Sequence, residues 1–318
     1  MNVMKKIRVG ISSCLLGKPV RYDGGHKHDP YLTGTLGAFF DYVPVCPESE
    51  AGLGTPREAM RLVGNPASPR LVTQESGKDL TARMERWIAD RLLALAAEDL
   101  CGFIFKSDSP SSGMERVKVY DEKGNARKSG SGLFARAFME RFPLVPVEDE
   151  GRLHDVGIRE NFIVRVFAYH RWKEQVALDR RPAAVITFHA RHKYLLMAHS
   201  PSIQKELGRL VAGVKGMKPG DFLREYETLF MRAFACLSTP KKNTNVLMHC
   251  AGYFRDRITA GEKKELLDII EQYRKELVPL IVPVTLIRHF VRKYGEEYLA
   301  DQYYLDPHPL ELKLRNHA

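Results

Sequence analysis

Residues 101–113 read CGFIFKSDSPSSG, and how they are read decides the fold. Residues 101–105 have the length and composition of a buried strand. The next eight residues hold four serines, an aspartate and a proline, more polar groups than a turn needs. Two other apolar runs end in the same way. Residues 6–11 (KIRVGI) lead into SSCLLG at 12–17, and residues 41–45 (DYVPV) lead into CPESEAGLG at 46–54.

Between these runs the period changes. In residues 78–100, Leu80, Met84, Trp87, Ile88, Leu92 and Leu95 recur at helical spacing. A strand over 117–120, a turn over 121–125, a helix over 132–141 and a last strand over 143–147 continue the pattern. Strand, helix, strand at this rhythm predicts an α/β domain with a mostly parallel, Rossmann-like sheet over residues 1–150. The carboxyl ends of parallel strands share one edge, where ligands bind. Cys14, Cys46 and residues 109–112 should therefore converge.

From residue 151 the pattern is helical throughout, with helices expected over 159–173, 182–197, 221–237, 243–254, 260–276 and 282–294. Residues 151–318 are expected to form an all-α domain, joined to the first at residues 149–152.

The chain has 318 residues, 44% hydrophobic and 28% charged, as expected of a soluble globular protein. No apolar run approaches the roughly 20 residues of a membrane span. The N-terminal stretch has no apolar signal region, so a cytoplasmic location and no membrane partner are expected. The five cysteines, Cys14, Cys46, Cys101, Cys236 and Cys250, are too few, too widely spaced and odd in number for a disulfide framework. Net charge is +10, and residues 151–318, with 28 Lys and Arg against 19 Asp and Glu, carry +9 of it. This asymmetry fits a polyanion-binding module or a merely basic soluble surface, and charge alone leaves both open.

Cysteines spread over separate loops do not match the paired knuckles of a zinc ribbon. They suit an iron–sulfur cluster or a nucleophilic thiol, while each taken singly is also an ordinary small core residue. Glu48, two residues from Cys46, favours the functional reading. The segment Arg21-Tyr22-Asp23-Gly24-Gly25-His26 offers charge, hydrogen bonds and close backbone approach to a ligand, or simply a polar turn. Arg57 is a candidate for binding phosphate or a base carbonyl, and Lys106 reads as one half of a surface ion pair. His189, His192 and His199 share a helical face without an acidic residue or cysteine among them, so they read as structural or RNA-contacting residues. Lys193 and Tyr194 pair a cation with a stacking ring. Arg191, Lys241 and Lys242 extend a basic patch that also takes in Arg255, Arg257, Lys263 and Lys264.

The stretches SSCLLGKPVRYDGGHK, CPESEAGLGTPRE and SPSSGMERVKVY resemble, in order and spacing, three motifs of the TudS-type thiouracil desulfidases. The likeness covers about residues 7–150. RENFIVRVFAYHRW and FHARHKYLLMAHS resemble the YbgA-like helical domain fused to such enzymes, which are associated with removing sulfur from 4-thiouridine in tRNA. The resemblance implies a [4Fe-4S] cluster with an open iron, held at Cys14, Cys46 and a third position that the family fills with cysteine and this chain fills with Ser112. It implies Glu48 and Ser109 as the catalytic pair, with Arg21, Asp23, Gly24, Gly25, Arg57 and Ser111 around a small thiolated pyrimidine. It also implies tRNA as partner to the basic half.

Three readings follow. One is an iron–sulfur desulfidase acting on thiolated uracil. Another is a non-catalytic RNA-binding protein whose cluster site has degenerated at Ser112. The last is a metal-free enzyme using Cys14 as nucleophile, with His26 or His28 as base. The sequence leaves the oligomeric state unknown.

Overall fold

Ile7, Val9 and Ile11 are buried and Arg8 is exposed, so the first apolar run forms β1 (Ile7–Ser12). The computed structural model describes residues 5–179 and 181–316. The chain divides into two units, Met1–Asp155 and Val156–Ala318.

After β1 come β2 (Phe40–Val45), the short α1 (Pro47–Glu50), β3 (Met60–Val63), β4 (Arg70–Thr73), α2 (Thr81–Ala96), β5 (Phe103–Phe105), β6 (Val117–Tyr120), β7 (Ala126–Gly130), α3 (Leu133–Arg141) and β8 (Val147–Asp149). Four of these strands form a parallel sheet in the order β2-β1-β5-β8. The chain moves outward from β1 to β2, then returns to β5 on the other side of β1. The crevice of such a sheet opens at the carboxyl ends where this reversal occurs. Pro44 lies on the edge strand β2, where a missing N–H costs least. A Cβ on Gly10 would come within 2.2 Å of the Phe103 ring, so glycine is what lets β5 lie against β1 at this register. Phe103 and Phe105 stack at 4.3 Å and pack on Phe134 and Phe138 of α3, giving the sheet an aromatic core.

A second sheet, β4-β3-β6-β7, differs from the sequence expectation, which held one strand of it. Its members pair β3–β4 and β6–β7 antiparallel and β3–β6 parallel. The two unpredicted hairpin partners β3 and β4 are four residues each, too short to show a period. β7 reads ARKSG and is exposed along most of its length, so it carries no apolar alternation. The last strand also lies later than expected, at Val147–Asp149, and the prolines at 143 and 146 precede it.

The second unit holds α4 (Val156–Trp172), α5 (Pro182–His199), α6 (Pro201–Ala212), α7 (Pro219–Ala235), α8 (Pro240–Gly252), α9 (Ala260–Arg274), α10 (Ile281–Tyr294) and α11 (Glu297–Ala300). Proline opens α5 through α8, at the position where its absent N–H is free of cost. Thr259 and Glu262 form a reciprocal capping box on α9. α6 was not expected from the sequence, although Ser200 caps it by accepting from Ile203 N and Pro201 starts it. Trp172, Tyr226 and Phe230 stack at the centre of this unit, with Trp172 and Tyr226 5.3 Å apart. Among the described residues no helix is long and apolar enough to cross a membrane.

Candidate active site

Three loops leave the carboxyl ends of β1, β2 and β5 and enclose a cavity of about 400 Å³. Cys14, Cys46, Glu48, Ser109 and Ser112 all line it. Cys14 sits in a single tight turn, residues 13–16, that Gly17 ends at φ +86°, a left-handed conformation that suits glycine. Cys46 caps α1 and its N–H donates to Glu50 Oε1 at 2.8 Å. Its thiol lies 3.5 Å from Glu48 Oε2 and 3.3 Å from Ser49 Oγ.

Glu48 is nine-tenths buried and is held from three sides. Ser111 Oγ donates to its Oε1 at 2.5 Å, the Cys46 thiol points at Oε2, and Arg57 Nη2 stands 3.8 Å from Oε2. Arg57 is itself fixed, because Nη1 donates to the carbonyls of Val20 and Gly54, each at 3.0 Å. The site loop after β5 is folded by Ser109, whose Oγ accepts from the N–H groups of Ser111 at 3.3 Å and Ser112 at 3.0 Å. The Ser111 hydroxyl is 3.0 Å from that of Ser109 and 3.3 Å from that of Ser112. A hydroxyl chain thus links the loop to the carboxylate. The loop also rests on Gly132, where a Cβ would meet the backbone of Ser111 and Ser112 at 2.4–2.7 Å.

Burial pushes both thiols up. Cys14 rises from the ordinary 9.0 to about 11, chiefly through burial, with the Lys106 charge opposing the rise. Cys46 rises through burial first and the neighbouring Glu48 charge second. That rise makes the Cys14 thiolate about a hundredfold scarcer at neutral pH than that of a free cysteine. In metal-free protein, Cys14 is therefore expected to react with iodoacetamide at pH 7.5 on the order of a hundredfold more slowly than free cysteine. Peptide mapping of the modified protein reads this, and alkylation at the free-thiol rate would contradict it.

The placements correct several expectations. Arg21 and Arg57 line the cavity, but Asp23, Gly24 and Gly25 do not. They form their own turn: Asp23 Oδ1 accepts from Gly25 N at 3.0 Å and pairs with Arg21 at 3.4 Å, and Gly24 takes φ +76°. Ser111 is fully buried behind the wall, so it positions Glu48 and does not face a ligand. Lys106 is no surface residue. It lines the cavity, is ion-paired with Glu150, and its N–H donates to Ser12 Oγ at 2.9 Å. Cys101 is buried at the opposite end of the sheet from the site, its N–H donating to the carbonyl of Arg8. Gln74 and Met60 line the cavity unannounced, because the strands β3 and β4 that bring them there left no period in the sequence. Tyr22 and Lys27 were within reach, flanking a loop already singled out.

In the helical unit Tyr194 is buried, and its hydroxyl donates to Tyr253 at 3.1 Å, so it offers no stacking surface. Lys242 is committed to the carbonyls of His199 and Leu237 at 2.7 and 2.8 Å. Arg191 lies half-buried over the Tyr303 ring at 4.8 Å, while Lys241 is exposed and Lys193 half-exposed. His192 and His199 are buried, and burial holds His189 and His199 down to about 4 and His192 well below its usual range, so all three are neutral at pH 7.

The model of the 2-thiouracil desulfurase family matches residues 9–150, which span all three loops of the cavity, and that of DUF1722, a protein of unknown function, matches residues 193–309. The chain joins a 2-thiouracil desulfurase domain to a DUF1722 domain. It is 29% identical over 158 residues to protein YbgA of Escherichia coli (strain K12), covering 49% of this chain and 94% of that one. It is 28% identical over 152 residues to protein YbbK of Bacillus subtilis (strain 168), covering 46% of this chain and 97% of that one. The solved structure of a [4Fe-4S]-dependent thiouracil desulfidase, TudS, is 30% identical and matches over 49% of this chain and 98% of that chain, with a TM-score of 0.39. The YbgA likeness covers about half of the chain, and the pairing of the two domains rests on the two family models, which match separate stretches.

Proposed function

We propose that this desulfurase domain removes sulfur from a thiolated uracil without net redox change, in the cavity at the ends of β1, β2 and β5. The observation that carries the reading is the Glu48 carboxylate, fixed by Ser111 at 2.5 Å in a wall it shares with both thiols. The overall change is C=S plus water giving C=O plus hydrogen sulfide, so a proton must be moved and no electron.

The solved desulfidase TudS is [4Fe-4S]-dependent, and the donors in this cavity fit such a group at two positions. Cys14 and Cys46 are soft ligands whose protons a metal displaces. Ser112 Oγ is the third donor on the wall, a hard one, and among the described residues no three His, Cys, Asp or Glu side chains gather into a metal site. When bound, an iron–sulfur group supplies a Lewis acid for the thiocarbonyl sulfur. Glu48 takes a proton from the attacking water or gives one to the ring nitrogen. Ser109, on the cavity wall, orients the water or the base, and Arg57, 3.8 Å from Oε2, helps to aim Glu48. Sulfide released from 2-thiouracil or 4-thiouridine by anaerobically reconstituted protein tests the activity, and its absence from both substrates removes the reading.

The substrate proposed as physiological is 4-thiouridine in tRNA, supported by the +9 charge of residues 151–318. Phosphate contacts release counterions, so the full chain is expected to lose about tenfold or more in tRNA affinity between 50 and 200 mM salt. Affinity that stays flat would contradict an electrostatic RNA surface. Ser112 favours a second reading, an RNA-binding protein without turnover, which predicts the same salt dependence and no sulfide.

A further inference from the structure

Beside the catalytic cavity lies a second groove of about 310 Å³, and the two share Met60, Gln74, Asp108 and Pro110. The groove floor is the mixed sheet. Lys118 of β6 pairs directly with Lys128 of β7. Leu62 pairs with Val119 in the parallel direction, which sets Arg61 of β3 alongside Lys118. Three cations therefore stand in one transverse row across three adjacent strands, and all three line the groove. Like charges directly opposite one another in a sheet are destabilising. None of the three is ion-paired with a carboxylate among the described residues, and the buried Arg61 Nε has no hydrogen-bond partner. The Arg61 guanidinium lies 5.2 Å from the centre of the Tyr120 ring, which also faces the groove. The one acidic lining residue, Asp108, is at the rim shared with the catalytic cavity.

We infer that this row holds the phosphodiester backbone of an RNA strand whose thiolated base occupies the adjoining cavity, with Tyr120 available to a neighbouring base. An uncompensated row of cations that weakens its own sheet is accounted for by an anion that spans it. A shared rim is what a nucleotide needs to reach both spaces at once. The inference rests on the desulfidase reading for the base and on the groove's own chemistry for the phosphate. It makes the desulfurase domain itself a reader of polynucleotide, so that discrimination between a free thiolated base and a thiolated strand begins beside the reacting atom.

The test is the double variant K118A/K128A of the full chain; both lysines are exposed, so the sheet is retained. The probe is a short single-stranded RNA carrying one 4-thiouridine. In the variant, the ratio of kcat/KM on this strand to kcat/KM on free 2-thiouracil is expected to fall about tenfold, and the salt slope of strand binding to shrink by on the order of 1. An unchanged ratio and an unchanged slope overturn the groove while leaving the desulfidase standing. If the wild-type chain releases no sulfide from either substrate, the desulfidase reading fails. The salt slope then decides the groove alone: a smaller slope in the variant supports it, and an equal slope overturns it.

Discussion

Ser112→Cys is expected to raise bound iron toward roughly four per chain after anaerobic reconstitution, and to raise sulfide release from 4-thiouridine with it, by about ten- to a hundredfold. The Ser112 side chain is buried and faces the cavity that both thiols line, so a thiol placed there adds a third soft donor at the same wall. The exchange costs little elsewhere, since the Ser112 hydroxyl has only a 3.3 Å contact with Ser111 and the loop is folded by the Ser112 N–H, which the variant keeps. With serine, protein purified in air is expected to hold little iron, because two thiolates leave the group under-ligated. Loading of either form should improve as pH rises. Burial holds protons on Cys14 up to about 11 and raises Cys46 as well, and both protons must leave before a metal binds. Equal iron and equal turnover in the two forms would show that serine serves as well as cysteine.

Glu48→Gln is expected to lower kcat by about 10² to 10⁴, the span typical of a lost general acid or base, while iron content stays as in the parent. Glutamine keeps the shape and can still accept from Ser111, but it cannot exchange a proton with water or substrate. The carboxylate is braced by Ser111 and Arg57 and approached by the Cys46 thiol, so its pose is set by the protein and not by a bound ion. Loss of the iron chromophore in this variant would make Glu48 a ligand instead.

The parallel sheet was legible because each of its first three strands is an apolar run that stops abruptly at a polar loop, and because Leu80 to Leu95 keep a helical period between them. That was enough to bring Cys14, Cys46 and residues 109–112 to one edge. The mixed sheet was not legible. Its strands are four or five residues long, seven of their seventeen residues are charged or exposed, and each is too short to show a period. The groove went unseen with it, since Arg61, Lys118 and Lys128 are separated in sequence and become a row only through strand register. Sequence spacing also could not separate the roles of the serines: Ser109 folds the loop and lines the cavity, while Ser111, two residues on, is turned inward to Glu48. In the helical unit, a cation beside an aromatic at Lys193 and Tyr194 suggested a stacking surface. Tyr194, however, lies among Tyr253, Tyr298 and His249, so its ring is spent on the core.

The most direct measurement of the central claim is turnover of 4-thiouridine in ¹⁸O-labelled water by the anaerobically reconstituted full chain. The account predicts one sulfide released per uridine formed, one ¹⁸O at the carbon that carried sulfur, and no requirement for an added oxidant or reductant. Uridine without the label, turnover that depends on an added electron donor or acceptor, or no sulfide at all would contradict it.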